Sequence, residues 1–153
     1  MNLRISFSLT GLIILILPMI INIAYVMFPL ENSGYNSPKP ARWLEITEKT
    51  SRIAYMISVT FLKNAEPVNM QSPKMVLACV FLVLYYIVWL RYFINGRDTV
   101  FLGKPFLAVP LPLAVFPVLY FLSAALWLRN FPAIIFMIIF GASHIAITAH
   151  SFY

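Results

Sequence analysis

Residues 42–63 read RWLEITEKTSRIAYMISVTFLK, and where this stretch sits decides the fold. Its first half carries Glu45, Glu48, Lys49 and Arg52, and its second half is apolar. At about 100° per residue the four charges share one helix face roughly 100° wide, and Glu45 with Lys49 and Glu48 with Arg52 are i,i+4 pairs in the favoured acid-first order. The face is therefore neutral overall. A helix drawn flat onto anionic lipid carries surplus Lys and Arg on its polar side, and this one carries a balance. Trp43 to Leu62 also supplies the roughly 20 residues that a crossing needs. A self-neutralising stripe turned into a bundle is how charge is tolerated at membrane depth. The stretch is read as a crossing with its four charges facing protein; the alternative is an amphipathic interfacial helix.

The flanking sequence is that of an integral membrane protein. Of 153 residues 61% are hydrophobic and 10% charged, and the mean hydropathy is +0.86, well outside the range of soluble domains. The expected architecture is all-α, one polytopic transmembrane domain over residues 1–153, with five spans at about 8–30, 42–63, 74–95, 104–128 and 131–152. The alternative has four spans plus the interfacial helix. The first run is too long for a secretory signal and has no A-x-A site, so it reads as an uncleaved helix. ENSGYNSPKP, residues 31–40, closes it with turn formers. Asn95 and Gly96 offer a left-handed stop to the third span. Pro105, Pro110, Pro112 and Pro117 predict an irregular start to the fourth span, with helix from Pro112 to Leu128 and the Leu113 carbonyl, freed by Pro117, needing a donor. The two-residue link Arg129–Asn130 forces a tight antiparallel hairpin with the fifth span.

Charge does not orient the chain. Five crossings place Arg4, Lys63, Lys74 and Arg129 on one side and Lys39, Arg42, Arg91, Arg97 and Lys104 on the other. The pI of 9.7 reads as membrane-surface charge, with no stripe of nucleic-acid-binding character. Cys79 is the lone cysteine, so no internal disulfide forms, and its place in an apolar run reads as a small buried filler.

Few residues offer chemistry. The acids are Glu31, Glu45, Glu48, Glu66 and Asp98, and the only candidate carboxylate pair, Glu45 and Glu48, is compensated by basic neighbours. His144 and His150 are roughly 120° out of line on a helix, and no HExxH, CxxC, phosphate-cradling glycine loop or G-x-S-x-G elbow occurs, so no catalytic residue, metal site or cofactor is assigned. What remains is FGASHIAITAH, residues 140–150. Met137, Gly141, His144, Thr148 and Ser151 mark one face of a helix, beside a small-residue stripe of Ala142, Ala146 and Ala149 that suits close helix contact. His144 is therefore expected inside the bundle, neutral and hydrogen-bonded, with Asn22 or the freed carbonyl beside Pro117 as its partner. Pro18 and Asn22 form a second kink with a polar group on its face. The ligand or proton candidates are His144, Thr148, Asn22, Glu48 and Arg52.

The stretch from YFINGRDTVFLGKPFLAVPLPLAVFPVLYFL to GASHIAITAH, residues 92–150, resembles a group of small, uncharacterised multi-spanning membrane proteins of Gram-positive bacteria. In that group a GR-containing loop precedes a proline-rich span and a Gly-x-x-His helix closes the chain. The resemblance implies a bacterial plasma membrane and five spans, multi-pass, and it transfers no activity or site. The function expected is binding or transport around a polar site at His144 and the broken fourth span. The alternative is a structural, accessory or protective protein that assembles with a larger membrane partner, and an intramembrane enzyme ranks third. The partners expected are the lipid bilayer and a membrane protein or second copy, not nucleic acid.

Overall fold

Side chains and prolines set where the apolar runs become helix. The computed structural model describes residues 3–28, 40–97 and 100–152. Helix α1 (Leu9–Met27) begins where the Ser8 hydroxyl accepts the Gly11 N–H at 3.0 Å. Helix α2 spans Arg42–Phe61, and α3 (Pro73–Ile94) starts on a Ser72 cap with proline in its first turn. It stops as expected at Gly96 (φ +72°), with the Arg97 N–H reaching back to the Tyr92 carbonyl at 3.0 Å. The turn formers at 31–39, with Glu31, Lys39 and Asp98, lie outside the described residues.

After the short α4 (Val100–Gly103), the prolines hold the backbone out of a long helix. Phe106 and Val109 exchange two backbone hydrogen bonds of 3.0 Å across a tight turn. Its central residues, Leu107 (φ 50°) and Ala108 (φ 64°), are both left-handed, a conformation that costs side-chain-bearing residues about 1 kcal/mol or more each. Helix resumes at Pro112 as α5 (Pro112–Trp127), and after Arg129 (φ 52°) the chain turns directly into α6 (Phe131–Phe152).

Among the described residues three helices are long and apolar enough to cross a membrane: Leu9–Met27, Pro73–Ile94 and Phe131–Ser151. The expected five spans thus reduce to three on length and hydropathy. Helix α2 falls short because of its charges. Helix α5 falls short in length, since its 16 residues make about 24 Å against a hydrocarbon core of about 30 Å.

All five long helices nevertheless run along one another. Glu48, early in α2, meets His144, late in α6, while Ser58 and Leu62 at the end of α2 meet Asn130 just before α6, so the pair is antiparallel. Phe116 of α5 packs with Tyr85, Val88 and Trp89 of α3, and Ala124 and Ala125 share a cluster with Ala78, so this pair is antiparallel too. Helices α5 and α6 approach closely at Gly141, where a Cβ would stand 2.6 Å from Val118 Cγ1. The close contact is therefore made by Gly141. Ala142 and Ala146, expected to serve it, are exposed, and so is Cys79, which is no buried filler. Period alone places these residues on a helix face but not on the face that meets protein.

A two-stranded antiparallel sheet, unforeseen in the sequence, joins β1 (Leu3–Ile5) to β2 (Leu62–Asn64), pairing Leu3 with Asn64, Arg4 with Lys63 and Ile5 with Leu62. Its cause is the end of α2, whose last carbonyls have no intrahelical donors. The Ser6 N–H donates to Phe61 O at 3.0 Å and the Ser8 N–H to Thr60 O at 2.8 Å. Asn130 completes the set: its Nδ2 donates to the carbonyls of Ser58 and Leu62, both at 2.8 Å, while its Oδ1 accepts the Ala133 N–H at 3.1 Å and caps α6. Gly11 lets α1 lie against this end of α2, since a Cβ there would sit 2.0 Å from Val59 O.

Asn130, 1% exposed, thus terminates one helix and starts another. Asn130→Ala should lower unfolding free energy in detergent by about 2 kcal/mol, the sum of a lost cap and the Leu62 carbonyl left without its donor, while Ser58 O keeps the Leu62 N–H. Asn130→Asp, which keeps the cap but cannot donate, should lose most of that; a stable Asp variant would show the donated bonds to be dispensable.

Candidate functional site

Helix α2 turns Glu48, Ser51, Tyr55 and Ser58 inward at spacings of three and four, the period of a helix face packed on a neighbour. Glu48 lies one turn before Arg52 and opposite His144. Its Oε1 is 3.1 Å from His144 Nδ1 and its Oε2 is 3.9 Å from an Arg52 guanidinium nitrogen. The side chains are 13% exposed for Glu48, 30% for His144 and 50% for Arg52, so the carboxylate is the most enclosed of the three. With a neutral imidazole, Nδ1–H donates to the carboxylate and Nε2 is left as an acceptor. Stacking on Phe140, with centroids 5.0 Å apart and planes 14° from parallel, fixes the ring, and the Thr148 hydroxyl donates to the His144 carbonyl at 2.8 Å.

His144 thus lies inside the bundle with a partner on another helix, as expected, but the partner is Glu48 rather than Asn22 or the Leu113 carbonyl. Asn22 Oδ1 instead accepts the Tyr85 hydroxyl at 2.7 Å. Among the described residues no side chain donates to the Leu113 carbonyl. The four charges of α2 do not all face protein: Lys49 is exposed, Glu45 is half-buried, and only Glu48 is held against α6. A 100° charged face is wider than the seam it borders, so its two edges part, Lys49 outward and Arg52 toward the interior.

That interior is a cavity of about 730 Å³ where all five long helices meet. Four of the five residues singled out in the sequence, Asn22, Arg52, His144 and Thr148, line it, and the fifth, Glu48, sits behind the His144 ring. Pro18 and Pro117 line it as well. Pro18 has no N–H to offer the Ile14 carbonyl, and the Tyr120 hydroxyl supplies the donor at 2.9 Å. Tyr86 donates to Leu17 O at 2.6 Å and Tyr55 to Phe121 O at 2.9 Å. Helix α1 is consequently tied across the cavity by tyrosine hydroxyls rather than packed closely along its length. These tyrosines were missed in the sequence reading. The available signal was a phenol inside an apolar run, which needs an acceptor wherever it is buried.

The site has the groups of a binding pocket. The hydroxyls of Ser51, Ser143, Thr148 and Ser151 all donate to carbonyls of their own helices, so none is paired with a base. Among the described residues no three His, Cys, Asp or Glu side chains come together to hold a metal. No family model, curated protein or solved structure matches the chain. The functional reading therefore rests on the cavity itself.

If the Glu48–His144 contact ties α2 to α6, a double-mutant cycle of Glu48→Leu and His144→Leu, read by unfolding in detergent, should give a coupling of about 1 kcal/mol, the scale of interhelical hydrogen bonds in membranes. Additive losses would show that the two side chains do not depend on each other.

Proposed function

We propose that the chain crosses a membrane five times, in a bacterial plasma membrane as the resemblance of residues 92–150 implies, and that its cavity binds an apolar or amphipathic small molecule. Support for the crossings comes from the antiparallel course of α2 along α6, one of the three helices of spanning length: a helix parallel to a spanning axis cannot also lie in the membrane plane. The charges of α2 are then tolerable because they sit near one end of the helix and compensate each other. Helix α5, too short alone, is continued by the irregular 104–111 segment, which suits non-helical backbone only where protein or a cavity covers it.

The observation that carries the binding reading is the cavity. At about 730 Å³ it falls within the roughly 300–1,000 Å³ of ligand pockets, and it combines an apolar wall with a few convergent polar groups. The space is a cleft rather than a sealed void: Ile16 and Met19 of α1 and Met56 of α2 line it and are 45–49% exposed, so it opens between those helices and an apolar chain can enter from the side. An accessory role without a ligand gives no reason for such a cleft. The one feature favouring assembly is the exposed pair Ala142 and Ala146 on the outer face of α6, where small residues would admit a neighbouring helix.

Trp89, 6% exposed, lines the cavity, whereas Trp43 is 67% exposed, so a Trp43→Phe/Trp127→Phe variant reports on the interior. In phosphatidylcholine nanodiscs 1-bromododecane should quench Trp89 saturably, and Ala114→Phe or Leu15→Phe, which fill the cavity, should abolish the saturable part. Quenching that is absent, or unchanged by both fillings, would rule out a ligand cavity.

A further inference from the structure

We infer that the cavity is built for a single-chain amphiphile with an anionic headgroup, of the fatty-carboxylate class, held with its head at Arg52; this rests on the binding reading above. The cavity is elongated and its two ends differ. Along α6 the lining runs from Met137 to Thr148, about 16 Å at 1.5 Å per residue, and along α1 from Leu12 to Asn22, about 15 Å. The helices run antiparallel or parallel in such a way that Leu12, Phe121 and Met137 stand at one end and Asn22, Arg52 and Thr148 at the other. An apolar cleft with polar groups at one end matches one alkyl chain with one polar head.

Charge gives the head its sign. Arg52 is the only residue with a permanent charge among those lining the cavity. The acid that balances it, Glu48, is not on the cavity wall; it sits behind His144 and is 13% exposed. At 3.9 Å, Glu48 engages one guanidinium nitrogen loosely, which leaves most of the five N–H donors of Arg52 free for a carboxylate in the bidentate geometry that guanidinium favours. Asn22 adds a donor, because its Oδ1 is occupied by Tyr85 and its amide N–H groups have no partner among the described residues. A cationic head would meet the Arg52 guanidinium first, because the Glu48 carboxylate lies behind it and is already engaged by His144 and Arg52. The cavity volume suits one chain rather than the two of a phospholipid.

The test compares heads on one chain, using the single-tryptophan Trp89 protein in phosphatidylcholine nanodiscs and ligand expressed as mole fraction of lipid. Terminally brominated dodecanoate should half-quench Trp89 at about a tenfold lower fraction than the brominated dodecyl-trimethylammonium ion, the scale of one charge-assisted contact. Arg52→Met should erase that preference, Arg52→Lys should keep it in part, and Arg97→Met, in the exposed turn after α3, should leave it intact. A brominated diacyl phosphatidylglycerol should quench weakly; if it quenches as well as the dodecanoate, the single-chain assignment is wrong. Equal quenching by the two heads, or a preference that survives Arg52→Met, overturns the anionic assignment while the alkyl-binding reading stands. No saturable quenching by any chain overturns that reading as well.

Discussion

The structure depends on how the end of α2 satisfies its carbonyls inside the bundle, where Ser58, Val59 and Thr60 are all buried. A buried carbonyl has no solvent substitute for a missing donor, so each free one must be met by protein. Thr60, Phe61 and Leu62 are met by the Ser8 N–H, the Ser6 N–H and Asn130, which also adds a second donor to Ser58 O beside the Leu62 N–H. These bonds fix the register of the N-terminal strand, set the start of α1 against α2 through Gly11, and place the cap of α6 at the same point. The Glu48–His144 contact holds the other end of the same seam. Two polar clamps, one turn-like and one between side chains, thus define a helix pair that buries the small residues Ser51 and Ser58 of α2 and Ala133 of α6.

With α2, α3, α5 and α6 joined in this way, α1 is the element that cannot pack fully. Pro18 removes a hydrogen bond from it and Pro117 removes one from α5, which stays helical through it, and both line the resulting cavity. Tyrosine hydroxyls from α3 and α5 hold α1 at a distance, donating to Ile14, Leu17 and Asn22. The polar candidates gather there for the same reason that the cleft exists: groups that cannot be buried against apolar surface face a space that side chains do not fill.

Much of this was legible in the sequence, for identifiable reasons. Apolar length and turn formers gave the long helices, and the four prolines gave the break before Pro112. The spacing of Met137, Gly141, His144 and Thr148 placed His144 inward, because helical period is a local property. Partner choice is not local. Nothing in the period of α6 distinguishes Glu48 from Asn22 as the neighbour of His144, and nothing in the Ala142 stripe says that it faces outward. Asn130 was passed over as half of a short link, although Asn before Phe-Pro is a helix-start signature. The β1–β2 pair was invisible because its three-residue strands carry no alternation; they form only because α2 ends beside them.

The central claim is that α2, despite its charges, runs through the membrane beside α6. Single cysteines replacing Ala41, before α2, and Lys63, after it, in a Cys79→Ala background test this with a membrane-impermeant maleimide on oriented vesicles. The account predicts labelling of the two positions from opposite sides. Labelling of both from the same side would make α2 a surface helix and would remove Glu48 and Arg52 from the interior site.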